Sequence, residues 1–183
     1  IDGASDIGGI LVFSDGGDVS IDRSTISGNT AVVGAGIYSF RGELQDPSVV
    51  RITSSTISGN TAERSGAIQL ENGVTAMISH STITDNTSKD DGPAVELEES
   101  DGVISHTIIA DNRQGTDLFA EPETTINYSL IGQVSDDDPV FTALQDGIGN
   151  LVGMPAKRGP LANNGATTLT HLPLAGSKAI DSG

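Results

Sequence analysis

The sequence predicts an all-β chain: a right-handed parallel β-helix, or solenoid, with an irregular C-terminal capping segment. Three observations predict it. An eight-residue motif returns along the chain. Apolar residues flank it at fixed offsets with two-residue alternation. The composition favours strands and turns over helices, with 23 Gly among 183 residues and Ser, Thr, Asn and Ile recurring. Gly, Thr and Asn are poor helix formers, whereas β-branched residues suit strands and Gly, Asn and Asp suit corners.

The repeat comes first, because a missed repeat misassigns the whole fold. Ser24-Thr25-Ile26-Ser27-Gly28-Asn29-Thr30-Ala31 recurs unchanged from Ser55 to Ala62. Looser copies are Ser81-Thr82-Ile83-Thr84-Asp85-Asn86-Thr87 and His106-Thr107-Ile108-Ile109-Ala110-Asp111-Asn112, with a degenerate fifth at Tyr128-Ser129-Leu130-Ile131-Gly132. The motif asparagines Asn29, Asn60, Asn86 and Asn112 are spaced by 31, 26 and 26 residues. A polar insertion at Arg41-Gly42-Glu43-Leu44-Gln45-Asp46-Pro47 accounts for the longer first interval. This period fits a β-helix coil. A leucine-rich repeat would be Leu-dominated, and a propeller blade would run to roughly 40 residues or more.

Each period is expected to hold two or three short strands. The motif isoleucines Ile26, Ile57, Ile83 and Ile108 should pile into a column inside the coil, with Ile21, Ile52, Ile78 and Val103 five residues ahead of them. A second strand follows each Asn, at Gly36-Ile37-Tyr38, Ala67-Ile68-Gln69-Leu70, Ala94-Val95-Glu96-Leu97 and Asp117-Leu118-Phe119. Ile7 to Ser14 should supply that strand for an earlier coil. No single coil buries its apolar face alone, so stacking is the source of stability. The asparagines are expected at left-handed corners, their amides forming a ladder like those of cross-β assemblies. The coils should occupy residues 1–133 and the irregular cap 134–183. The chain opens mid-pattern at Ile1-Asp2-Gly3 and is read as a piece of a longer one.

From the motif onward the chain resembles bacterial cell-surface β-helix repeat proteins, a group shading into polymorphic outer-membrane proteins and pectate-lyase-like solenoids. The stretches Gly159-Pro160-Leu161-Ala162-Asn163-Asn164-Gly165-Ala166-Thr167-Thr168-Leu169-Thr170-His171 and Leu174-Ala175-Gly176-Ser177-Lys178-Ala179-Ile180-Asp181-Ser182-Gly183 are similar to the choice-of-anchor region that closes such helices. The resemblance implies export and display at the cell surface, and it implies no defined catalytic activity. Bottom-up, the tail suits a cap, because repeat arrays need atypical ends and open strand edges invite association.

Charge narrows the partners. With 25 acidic and 9 basic residues the net charge is −16, which argues against nucleic acid and weighs against acidic polysaccharides. There is no Cys, and no apolar run reaches the roughly 18 residues of a membrane helix. The carboxylates to weigh for chemistry are Asp22, Asp85, Asp90, Asp91, Asp111 and Asp117. Asp85 and Asp111 hold the same place before successive motif asparagines, as a glycosidic carboxylate pair would. Gly28 and Gly59 hold it in earlier coils, which favours a turn role. His80 and His106 read as one position out of step and therefore on opposite faces. Arg41, Asp46, Asp90 and Asp91 are candidate binding residues where the repeat is broken. Asp136, Asp137 and Asp138 are the candidate ligands for calcium, the one ion the sequence admits, and no other cofactor is called for. The expected function is an exported, non-catalytic, adhesive surface module whose loops bind a protein or glycan. The alternatives are a polysaccharide-acting enzyme or carbohydrate-binding module, and a subunit that self-associates through its coil ends.

Overall fold

The computed structural model describes residues 4–14, 17–41 and 48–180, with the backbone alone at 4–7, 13, 14 and 41. A complete coil runs through four short strands, for example β7 (Ser48–Thr53), β8 (Thr56–Ser58), β9 (Thr61–Arg64) and β10 (Ile68–Glu71). Equivalent strands of successive coils pair in parallel and build four sheets. The pre-motif sheet holds β3 (Asp18–Asp22), β7, β11 (Val74–Ser79), β15 (Gly102–Ser105) and β18 (Thr125–Asn127). The motif sheet holds β4 (Thr25–Ser27), β8, β12 (Thr82–Thr84), β16 (Ile108–Ile109), β19 (Leu130–Ile131) and β20 (Leu151–Val152). The post-ladder sheet holds β1 (Ala4–Ile7), β5 (Thr30–Val33), β9 and β13 (Thr87–Ser88). The return sheet holds β2 (Ile10–Ser14), β6 (Ile37–Arg41), β10, β14 (Val95–Glu98) and β17 (Leu118–Ala120).

The lumen is aliphatic and in register. Ile21, Ile52, Ile78, Ile104 and Ile126 stack in the pre-motif sheet. Ile26, Ile57, Ile83, Ile109 and Ile131 stack in the motif sheet. Ile10, Ile37, Ile68, Val95 and Leu118 stack in the return sheet. Here the structure corrects the sequence reading twice. Ile109, not Ile108, continues the motif column, because Ile108 pairs with the outward Thr82. Likewise Ile104 continues the pre-motif column, while Val103 is 41% exposed. Strand side chains alternate between faces, so a one-residue slip exchanges inside for outside. The two isoleucines therefore differ in energetic weight. Ile109→Ala is expected to cost about 3 kcal/mol through the cavity it leaves, and Ile108→Ala about 1 kcal/mol. Urea unfolding of the two variants checks the ranking, and equal losses would contradict this register.

The C-terminal end of the stack is closed by a helix the sequence reading did not foresee, α1 (Val140–Asp146). Its Val140, Ala143 and Leu144, at i, i+3 and i+4, are buried and join the core beside Val134. No helix among the described residues is long and apolar enough to cross a membrane.

After β20 the chain folds into a hairpin that runs back along the outer face of the motif sheet. Its arms are joined by backbone bonds between Gly159 and Leu172 (2.8 Å), Ala162 and Thr170 (3.0 Å), and Lys157 and Leu174 (2.8 Å). Hydrogen bonds tie it to successive coils. The Ala156 N–H donates to Asp111 Oδ2 (3.2 Å), Arg158 Nε to Thr84 Oγ1 (2.6 Å), and Thr25 Oγ1 to the Leu169 carbonyl (2.8 Å), while His171 Nε2 meets Ser58 Oγ (2.9 Å). This strap explains why Ile108 is half-buried although it points outward. It packs with Leu151 and Ala179 beside Leu130 and Ala156.

Candidate functional site

The motif asparagines form a continuous ladder, buried at Asn29, Asn60 and Asn86 and half-buried at Asn112. Asn29 Nδ2 donates to Asn60 Oδ1 (2.8 Å), Asn60 to Asn86 (2.9 Å), and Asn86 to Asn112 (2.9 Å). Each acceptor also takes the backbone N–H of the preceding rung's Asn, at 3.0–3.1 Å. The Asn60, Asn86 and Asn112 amides further donate to the carbonyls of Ile26, Ile57 and Ile83. The left-handed corner lies one residue earlier than expected. Positive φ falls on Gly28 (72°), Gly59 (69°), Asp85 (60°) and Asp111 (59°), not on the motif asparagines. Gly and Asp tolerate that conformation, so the alternation of Gly and Asp before the Asn follows from backbone geometry.

Asp117 terminates the ladder. Its Oδ1 accepts the Asn112 amide (2.7 Å) and backbone N–H (3.0 Å), and its Oδ2 accepts the Gln133 N–H (2.5 Å). Burial pushes this carboxyl up from its ordinary 3.8, helped by the nearby Asp111 charge and opposed by those hydrogen bonds. The folded state therefore holds the Asp117 proton to higher pH than the unfolded chain does. Stability contributed by this group is full below the unfolded value and falls as pH rises towards the folded one. Asp117→Asn is expected to flatten that segment of a pH–stability curve measured by denaturant unfolding.

Asp85 and Asp111 do lie on adjacent rungs, but both face the strap. Arg158, only 14% exposed, sits 2.7 Å from Asp85 and 4.0 Å from Asp111, and Arg113 reaches Asp85 at 3.3 Å. Asp90 and Asp91 are exposed in the turn after β13, where their N–H groups bond Glu63 and Ser88 carbonyls. Arg41 ends β6, and Asp46 lies outside the described residues. Asp138 Oδ2 accepts the Ser135 N–H (3.2 Å) in the turn leading to α1. Among the described residues no three His, Cys, Asp or Glu side chains converge as a metal site would require. Asp136 instead joins Asp111, Asp117, Gln133, Phe141 and Met154 around a cleft of about 590 Å³ between the last coil and the cap.

His80 and His106 overturn their predicted offset. Both have positive φ at the same corner, and their rings stack face to face, with centroids 5.0 Å apart and planes within 2°. Tyr128 extends the stack at 5.2 Å.

The return sheet presents a different surface. Leu11, Tyr38, Gln69, Glu96 and Phe119 form one outward column, and Phe40, Glu71 and Glu98 its neighbour. Tyr38 and Phe40 lie with ring centroids 5.4 Å apart. The Tyr38 hydroxyl donates to Glu71 Oε2 (3.2 Å), Gln69 Nε2 donates to Glu71 Oε1, and the Ser65 hydroxyl donates to Glu96. Burial, then Glu96 and Glu71, pushes the Glu98 carboxyl up from its ordinary value. Sequence reading missed this face, although the alternation Ile68-Gln69-Leu70-Glu71 and Val95-Glu96-Leu97-Glu98 marks it.

The stacked coils, the amide ladder and the capped end define a parallel β-helix domain. A family model described as "right handed beta helix region" matches residues 4–137, and the chain belongs to that family. Neither the curated proteins nor the solved structures yield a match.

Proposed function

We propose that the chain is part of an exported cell-surface module that binds an extracellular glycan without turning it over. One observation carries this reading. The strap's contacts occupy the motif sheet, whereas the return sheet keeps an aromatic pair and a carboxylate-rich column on its outer face. The paired carboxylates Asp85 and Asp111 are engaged by Arg158 and by the strap backbone, so their role in this reading is to hold the tail.

The acidic cleft beneath the last coil favours a second reading, a polysaccharide-acting enzyme. A panel of neutral, acidic and amino glycans, scored for binding and for chain cleavage, separates the two. Binding without cleavage supports the module. Cleavage lost in Asp117→Asn with the fold intact replaces it with the enzyme.

A further inference from the structure

If the return face binds a glycan, its chemistry also points to which kind. Its donors turn towards its own carboxylates: the Tyr38 hydroxyl and one Gln69 amide N–H bond Glu71, and the Ser65 hydroxyl bonds Glu96. What remains is acceptor capacity. Gln69 is only 1% exposed, and its Oε1 has no hydrogen-bond partner. It sits in register between Tyr38 and Glu96, bonded to Glu71 through its other amide atom. A buried carbonyl without a donor costs free energy that a ligand N–H or O–H would recover.

Glu71 and Glu98 lie in register on adjacent strands, roughly 4.8 Å apart by the spacing of a sheet. Like charges so placed repel, and a ligand cation relieves them. Burial first, and then the charges of Glu96 and Glu71, push the Glu98 carboxyl up. Among the described residues, Arg64 is the cation whose field reaches both Glu98 and Tyr38. Beside these acceptors stands the Tyr38 ring, with Phe40 against it, and aromatic faces attract ammonium groups and apolar ring surfaces. A row of acceptors next to aromatic rings, in a chain of net charge −16, complements a ligand that is cationic, rich in donors and flat.

We propose that the outer face of the return sheet, centred on Tyr38, Gln69, Glu71 and Glu98, binds a linear glycan bearing free amino groups. The carboxylates of adjacent strands take its ammonium groups, Tyr38 packs on its ring faces, and Gln69 Oε1 accepts from the sugar once the side chains above it part. Calorimetric titration with a fully deacetylated glucosamine tetramer tests this, with the N-acetylated tetramer, oligogalacturonate and poly-lysine as comparisons. The amino tetramer is expected to bind at least tenfold more tightly than the N-acetylated one, with oligogalacturonate silent. Glu98→Gln, an exposed change, should weaken it about fivefold, and Tyr38→Ala more, with melting temperatures confirming that both variants fold. Equal binding of both tetramers, still sensitive to Tyr38→Ala, would overturn the amine assignment while leaving the glycan reading intact. Silence towards every glycan would remove both. Poly-lysine binding that alone responds to Glu98→Gln would overturn the proposal in favour of a basic protein.

Discussion

Asn60→Ala is expected to destabilise the protein by about 3 kcal/mol in urea unfolding. The side chain is fully buried and holds four hydrogen bonds. It accepts the Asn29 amide and backbone N–H, and it donates to Asn86 Oδ1 and the Ile26 carbonyl. Alanine leaves the side-chain and backbone donors of Asn29 without their acceptor in a dry interior, and removes the amide donor from the Ile26 carbonyl. The cost of those orphaned groups exceeds the net worth of the bonds themselves. Asn60→Asp discriminates the cause. It keeps the acceptor for Asn29 but turns an acceptor towards Asn86 Oδ1 and the Ile26 carbonyl. The Asp variant should therefore be less stable at pH 7 than at acidic pH, where a protonated carboxyl regains one donor. A loss below 1 kcal/mol for Asn60→Ala would show that the ladder contributes little to stability.

Arg158→Met is expected to release the strap at the cost of about 2 kcal/mol. Methionine keeps much of the apolar stem and removes the guanidinium that bridges Asp85 and Asp111 and donates to Thr84. Among the described residues, Asp85 then keeps only the exposed Arg113 as an ion-pair partner, and Asp111 keeps none. Hydrogen exchange is the direct measurement. Amides between residues 156 and 180 should exchange at least tenfold faster, while the lumen strands β8 and β12 keep their protection. Unchanged exchange in the tail would place the strap's attachment elsewhere, at His171 and Ser58 or at Thr25 and Leu169.

The fold was legible because stacking repeats its demands. Every coil needs the same inward isoleucine, the same corner and the same amide, and the sequence writes them out each time. Legibility failed where a coil departs from the pattern. In the fourth copy Ile108 replaces the motif Thr, so two adjacent isoleucines compete for one lumen position. The distance to the Asn resolves it. Ile26, Ile57 and Ile83 each precede their Asn by three residues, and Ile109 alone does so for Asn112. The same slip displaced His106 from its stack with His80. The strap was not legible, since contacts such as Thr25 with Leu169 span 144 residues and obey no period. Arg158 gave no sign of its role, because its partners are set by the path of the tail and not by local pattern. The return face is different, because its residues are written in the sequence as the outward half of an alternation whose inward half is the lumen. Gln69, Glu71, Glu96 and Glu98 interleave with Ile68, Leu70, Val95 and Leu97, so the strand period that places one set places the other.

The strap has a mechanical consequence. In a plain solenoid each coil touches only its neighbours, so the stack frays from an end, one rung at a time. Here a single hairpin is stitched at Thr25, Ser58, Thr84 and Asp111, rungs that span the first motif copy to the fourth. The stack behaves as a laced seam, in which a rung cannot part without loading the stitches on the others. Heat should thus separate the coils in one calorimetric peak, where an unlaced stack would shed them in a broad succession.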